Sequence, residues 1–241
     1  MKKRADITIH ERGIVKSRAK AQDLIKRGYV TVDGVTIRSA HDLISPDAHI
    51  EVADMPRYVS RGGEKLDAAI THWHLNISHC VAADIGSSTG GFTDCLLTHG
   101  ARRVYAIDVG KNQLDESLRK DERVISIEQT DVRRVSLPEC VDFAVVDVSF
   151  ISLTLIHTHV SSLVKPGGTI ILLIKPQFEV GKEIAHKSRG IIRDHEAHKN
   201  VIESVRRAYE SIGLRVADTI PSPTIGADGN QEFLMLIHKS A

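Results

Sequence analysis

Several things are scarce in this chain. Its 241 residues include only three cysteines, Cys80, Cys95 and Cys140, and no C-x-x-C pair. That argues against a disulfide framework or a cysteine-based zinc site, and it suits a reducing cytoplasm. Long apolar runs are missing as well. The longest, around "IILLI", reaches about six residues, against the ~20 a membrane-spanning helix needs. The basic start "MKKRADITIHERG" has no apolar segment behind it, so no signal peptide is indicated. Metal motifs are absent too: "HEAH" at 195–198 is not H-E-x-x-H, and the pairs His72/His74 and His157/His159 lack further clustered ligands. A soluble, unexported, cytoplasmic protein without a metal is expected, working as a monomer. With 41% hydrophobic residues it can bury a proper core.

The net charge of +1 conceals an asymmetry. Residues 1–38 carry ten Lys/Arg against four Asp/Glu, whereas residues 61–241 carry 21 against 23. A basic head on a near-neutral body points to an anionic partner, either nucleic acid or a membrane surface. The head predicts two short helices and a small sheet. Ser17 is placed to cap a helix over "SRAKAQDLIKRG", with Ala21, Leu24 and Ile25 on one side and Gly28 as its stop. "YVTVDGVTI" gives two short strands across Asp33-Gly34, a strong hairpin signal. "DAHIEV" supplies a third strand. The run "RADITIHERGIVKSRAKAQDLIKRGYVTVDG" resembles the αL RNA-binding module found in a small-subunit ribosomal protein and in many pseudouridine synthases. The resemblance covers about residues 3–52. It implies RNA as the partner, with Arg4, Arg18 and Lys20 as candidate contacts.

The expected division is an RNA-binding domain at 1–55, a linker at 56–63 where glycines and a proline break periodicity, and a larger domain at 64–241. Beyond the linker, apolar strands alternate with helices: "CVAADI", "RVYAID", "RVISIEQ", "DFAVVDV" and "TIILLIK". A helix is predicted near 112–120, another over "SLTLIHTHVSSLVKPGG" with a Pro-Gly stop, and a long one after Asp194. "LRVADTI" and "EFLMLIH" close the chain without a helix between them. This pattern predicts an α/β fold: a seven-stranded Rossmann-like sheet whose last hairpin is antiparallel, preceded by the small α+β head.

In such sheets ligands bind beyond the carboxyl ends of the strands. Acidic residues stand there: Asp84, Asp108 and Asp147 end strands, and Asp131 follows one closely. Asp108 lies 24 residues after Asp84, the usual reach for a carboxylate that grips ribose hydroxyls. The loop "DIGSSTGGFTDCL" has neither the G-x-G-x-x-G of dinucleotide binders nor the G-K-[ST] of a P-loop. A carboxylate beside it would repel pyrophosphate but attract an ammonium group. S-adenosylmethionine carries that ammonium together with a ribose. The candidates for holding it are Asp84, Gly86, Ser87, Thr89, Gly90, Gly91, Asp108 and Asp131.

Four further residues call for an explanation: Lys65 in "RGGEKLDAA", Asp147, Lys175 at the end of the fifth strand, and Glu232. Lysines rarely end buried strands unless they are paired. The four together resemble the Lys-Asp-Lys-Glu set of FtsJ-like ribose methyltransferases. With "VVDVSFISL", "IKPQFEVGK" and the head, nearly the whole chain resembles the haemolysin A (TlyA-type) family of ribosomal RNA methyltransferases. The resemblance implies methyl transfer from S-adenosylmethionine to the 2′-hydroxyl of a cytidine in ribosomal RNA, with ribosomal subunits as partners. The chemistry agrees, because a ribose hydroxyl needs a base to take its proton. Lys175 is the candidate base, Lys65 its cationic neighbour, and Asp147 and Glu232 the orienting carboxylates. The strand-four ending "DVSF" lacks the N-P-P-Y tetrapeptide of amine methylases, which argues against base amines as acceptors. The basic stretch "KEIAHKSRGIIRD" is expected to form a flap over RNA or cofactor. Two other readings compete: a non-catalytic ribosome-assembly factor, and a membrane-lytic haemolysin. The absence of a strongly amphipathic apolar segment speaks against the second.

Overall fold

The computed structural model describes residues 2–53, 57–181, 188, 190–226 and 228–240. The chain forms two compact units, residues 1–56 and 57–241. In the smaller unit, β1 (Lys3–Arg4) leads into α1 (Ala5–Glu11) and α2 (Arg18–Lys26). These are followed by β2 (Val30–Val32), β3 (Val35–Thr36), β4 (Leu43–Ile44) and β5 (Ile50–Val52). Ser17 caps α2 as expected, its side chain accepting from the Lys20 N–H at 3.2 Å. Asp33 and Gly34 both have positive φ, 51° and 79°, as a tight hairpin between β2 and β3 requires. Ala5, Ile9, Ala21, Leu24, Ile25 and Val30 form a core of their own, each at 0% exposure. Strand pairing adds one feature the pattern did not suggest: β1 and β4 make a two-residue antiparallel ladder, too short to leave a periodic trace.

The larger unit is a seven-stranded sheet. Its strands are β6 (Val81–Ile85), β7 (Arg103–Ile107), β8 (Val124–Ile127), β9 (Val141–Val146), β10 (Val164–Ile174), β11 (Leu214–Pro221) and β12 (Phe233–Lys239). They lie in the order β11-β12-β10-β9-β6-β7-β8. Among the described strands of this sheet, only β12 runs against its neighbours. The helices are α3 (Arg61–His72), α4 (Gly91–Thr98), α5 (Glu116–Arg119), α6 (His157–Leu163), α7 (Pro176–Glu179) and α8 (His195–Glu210). All five residues of β6 are buried, as expected of a central strand covered on both faces. Successive strands flank β6 on opposite sides, β7 on one and β9 on the other, so the order reverses there and opens a crevice at the carboxyl ends.

Four expectations change. Of the expected linker at 56–63, residues 57–63 belong to the larger unit: Tyr58 is 2% exposed in its core, and α3 already begins at Arg61. Its glycines mark close packing, since a Cβ on Gly63 would lie 2.3 Å from the Tyr58 ring. The helix expected near 112–120 is confined to Glu116–Arg119, capped by Asp115. The helix expected from 152 opens as a 3-10 turn, Leu153–Leu155, before α6. Its Pro-Gly stop lies within β10, where the pairing with β9 shifts register between Val164 and Thr169. Of the expected flap, residues 182–187 and 189 lie outside the described residues.

Candidate active site

Two adjoining cavities open at the carboxyl ends of β6 and β9. The first, of 370 Å³, is bounded by α3, the loop after β6 and the segment after β10, and contains Lys65, Asp147, Lys175 and Glu232 in its wall. The second, of 540 Å³, lies over β7 and includes Asp108, Val109, Gln113 and Asp131. They share Gly86, Ser88, Asp147, Ser149 and Phe150.

The four polar residues singled out from the sequence do converge, but as two ion pairs. Lys65, on the buried face of α3, meets Glu232 just before β12, and the two are 9% and 3% exposed. Lys175, which ends β10, lies 2.5 Å from Asp147 Oδ1 and donates to Ser149 Oγ at 3.0 Å. Each lysine thus has its own carboxylate, where the sequence suggested one base, one neighbouring cation and two shared orienting groups.

The glycine loop divides its labour differently from the expectation. Gly86 has φ 82°, and a Cβ there would come within 2.3 Å of the Asp147 carbonyl oxygen, so a bare backbone is needed where the two strand ends meet. Gly90 and Gly91 serve packing instead. A Cβ on Gly90 would strike Leu118 at 2.3 Å and Leu114 at 2.7 Å, and one on Gly91 would strike Ser60 Oγ at 2.1 Å. Replacing Gly90 by valine would therefore disturb the fold rather than block a ligand. Ser87 is buried beneath the loop, and Thr89 is exposed on the first cavity.

Asp84 is wholly buried under this loop. One carboxylate oxygen accepts from Thr93 Oγ1 at 2.7 Å, while the other has no hydrogen-bond partner. Burial pushes its carboxyl up to about 7; the Asp147 and Asp108 charges push the same way, and the Thr93 bond opposes them. An unpartnered buried oxygen of this kind fits a ligand that brings a positive group. Asp108 borders the second cavity while its oxygens accept from Ser88 N–H at 2.8 Å and Gly110 N–H at 2.6 Å, which leaves further lone pairs for hydroxyls. Asp131 also reaches that cavity, but its carboxylate is taken by Arg133, with contacts of 2.5 and 3.0 Å. That pairing holds it down to about 2. The residues present fit a nucleoside carrying an ammonium.

Sequence reasoning missed an aromatic pair. Phe150 is 90% exposed, has φ 64°, and stands 4.9 Å from Phe178. Lys175 Nζ lies 6.0 Å from the centre of the Phe178 ring. An apolar residue held outward in a left-handed backbone was readable only as "SF" in a loop. In the head, Arg4 and Arg18 turn out to be tethered. Buried Asp6 takes both nitrogens of the Arg4 fork at 3.0 Å, Arg18 at 3.1 Å and Gln22 at 2.7 Å. Lys20 is freer, 3.9 Å from Asp23 at the surface.

Among the described residues, one group has the makings of a metal site: Asp67, Cys95 and His99, with ligand atoms within 4.8 Å of one another. Arg57 and His99 already hold the two oxygens of Asp67, and burial pushes the Cys95 thiol up to about 12. The group reads as a hydrogen-bonded brace between α3 and α4. No described helix is long and apolar enough to cross a membrane.

Comparison with known proteins agrees with this geometry. The family model for FtsJ-like methyltransferases matches residues 58–239, and that for the S4 domain matches residues 3–50. The Bacillus subtilis protein YqxC, which carries an rRNA methyltransferase name, is 41% identical over 245 residues, covering 98% of this chain and 86% of the relative. The Mycobacterium tuberculosis 16S/23S rRNA (cytidine-2′-O)-methyltransferase TlyA is 36% identical, covering 96% of this chain and 88% of its own. A solved Streptococcus thermophilus structure bearing a hemolysin name superposes with a TM-score of 0.78 at 37% identity, covering 99% of this chain and 89% of that one.

Proposed function

The chain belongs to the FtsJ-like methyltransferase family, and from that premise we propose that it transfers a methyl group from S-adenosylmethionine to the ribose 2′-hydroxyl of a cytidine in ribosomal RNA. The observation that carries this reading is the Lys175–Asp147 pair standing beside the Lys65–Glu232 pair in one cavity next to the glycine loop. Asp84, the Gly86 backbone and Asp108 would hold the donor, which supplies an electrophilic methyl on a sulfonium. Lys175, as the neutral amine after its own proton has passed to solvent, takes the proton of the ribose hydroxyl at Nζ and becomes the ammonium that Asp147 holds. Asp147 and Ser149 aim that nitrogen, and Lys65, fixed by Glu232, supports the negative charge that develops on the oxygen. Phe150 and Phe178 offer faces on which an unstacked base can lie, the usual way a single nucleotide is held for chemistry. The S4 domain brings the RNA. Incubating the protein with labelled methyl donor and separated ribosomal subunits, then mapping the modified nucleotide, tests the proposal; no transfer to either subunit would refute it.

Donor binding is expected to depend on pH through Asp84. Its carboxyl titrates near 7 in the folded protein, so an ammonium that meets the charged form must displace a proton at lower pH. Affinity for S-adenosylhomocysteine should therefore rise about tenfold from pH 6 to pH 8 and level off above. Calorimetry at both pH values checks this, and Asp84→Asn should remove the dependence. A flat profile in the parent protein would rule out contact with Asp84.

RNA affinity is expected to reside in the head. Lys20→Ala should weaken binding and reduce the slope of log affinity against log salt by roughly 0.7–0.9, the share of one phosphate contact. Arg4→Ala and Arg18→Ala should flatten it further. They also strip partners from buried Asp6, so their folding is checked by circular dichroism beside the salt titration. An unaltered slope in all three variants would place the RNA surface elsewhere.

A further inference from the structure

The segments 147–153 and 175–179 face each other and are tied at both ends. At one end Lys175 meets Asp147 and Ser149. At the other, Glu179 receives two hydrogen bonds: Ser152 Oγ donates to Oε2 at 2.6 Å, and the Leu153 N–H donates to Oε1 at 2.8 Å. Between the ties lie Phe150 and Phe178, ring to ring at 4.9 Å.

Phe150 needs holding. A bulky residue at φ 64° is strained and persists only where its surroundings over-determine it. Upstream, the Asp147 N–H is fixed to the Ile85 carbonyl at 2.9 Å in the sheet. Downstream, Ile151 packs against the core, and the first hydrogen-bonded points are Ser152 and Leu153, both on Glu179, with Leu153 1% exposed. The backbone that throws the Phe150 ring into solvent is thus pinned three residues before it by the sheet and two to three residues after it by one carboxylate.

We propose that Glu179 is a positioning residue whose two hydrogen bonds to Ser152 and Leu153 hold Phe150 outward as the stacking face for the target base. The inference rests on the methyl-transfer reading above. Glu179 touches neither substrate nor donor; it acts through Phe150.

The test is a double-mutant cycle in the full chain, with single-turnover methyl transfer to purified ribosomal subunits as readout. Phe150→Ala should reduce kcat/KM roughly 10- to 100-fold, the size of one lost base–aromatic contact. Glu179→Ala should cause a similar loss, and the double variant should be no slower than Phe150→Ala alone, because both remove the same contact. Affinity for S-adenosylhomocysteine should stay at the parent value throughout. Glu179→Gln should recover most of the rate, since its amide oxygen still accepts from Leu153 and its NH₂ can donate to Ser152. If Glu179→Ala does not fold, the cycle is run with Ser152→Ala, which removes one bond and leaves the other. Losses that multiply in the double variant, or a fall in donor affinity with Glu179→Ala, would overturn the positioning role while leaving the methyl-transfer reading intact. A parent protein that modifies neither subunit would overturn both.

Discussion

Lys175→Ala is expected to slow single-turnover methyl transfer by about 10²–10⁴-fold, the typical worth of a general base, while leaving the affinity for S-adenosylhomocysteine and RNA nearly unchanged. Lys175 ends β10 with its Nζ 2.5 Å from Asp147 and 3.0 Å from Ser149, so truncation removes the proposed proton acceptor and leaves the cavity walls in place. Lys175→Arg should be equally slow. A guanidinium keeps its proton, and its rigid fork cannot present a lone pair to a hydroxyl. The two variants together separate a base from a clamp. Were Lys175 only a phosphate contact, arginine would substitute well, and alanine would raise the RNA dissociation constant without altering the rate at saturation. A fully active Lys175→Arg would end the lysine-base mechanism.

Lys65→Met should be damaging for a different reason. It leaves the Glu232 carboxylate, 3% exposed, without its cation. Breaking a buried pair from one side typically costs about 3–5 kcal/mol, which denaturant unfolding would report as a clear fall in midpoint. Replacing both partners, as in Lys65→Met with Glu232→Leu, should restore most of that stability, because an apolar pair of similar volume leaves no stranded charge. The double variant should nevertheless stay deficient in methyl transfer. Recovery of stability without recovery of rate distinguishes a catalytic pair from a structural one. If Lys65→Met unfolds at the parent midpoint, Glu232 is not buried against it as described. If the double variant transfers methyl at the parent rate, the pair has no part in the chemistry.

Much of this was legible in the sequence because it is carried by local signals. Ser17 as a cap, Asp33-Gly34 as a hairpin, and the apolar runs of β6, β9 and β10 each follow from a few neighbouring residues. The four ionic site residues could be picked out because charged groups at strand ends are unusual, and their kinship to a known set gave their order. What could not be read is who meets whom. Lys65 and Glu232 are 167 positions apart, and nothing in either neighbourhood assigns one to the other rather than to Lys175 or Asp147. The close packing around Gly90 and Gly91 was not legible because a glycine records that space is short, not whether a ligand or a leucine fills it. The Arg133 partner of Asp131, in the same turn, was not read from the sequence. Phe150 escaped notice because exposure and a positive φ are properties of the folded chain. The linker was misplaced because Gly63, read with Gly62 as a break in periodicity, is a close packing contact with Tyr58.

Strand β12 follows β11 in sequence, yet it is inserted between β10 and β11, with Glu232 one residue ahead of it. During synthesis every other charged member of the site is therefore made first. Until the chain has grown past residue 232, Lys65 has no Glu232 to meet, and β10 presents an open edge to whatever strand comes near. Closing that edge and supplying the missing counter-charge are one event, so the catalytic cavity and the finished sheet should come into being together. A chain stopped just short of β12 would have most of its apolar strands but neither the closed sheet nor Glu232.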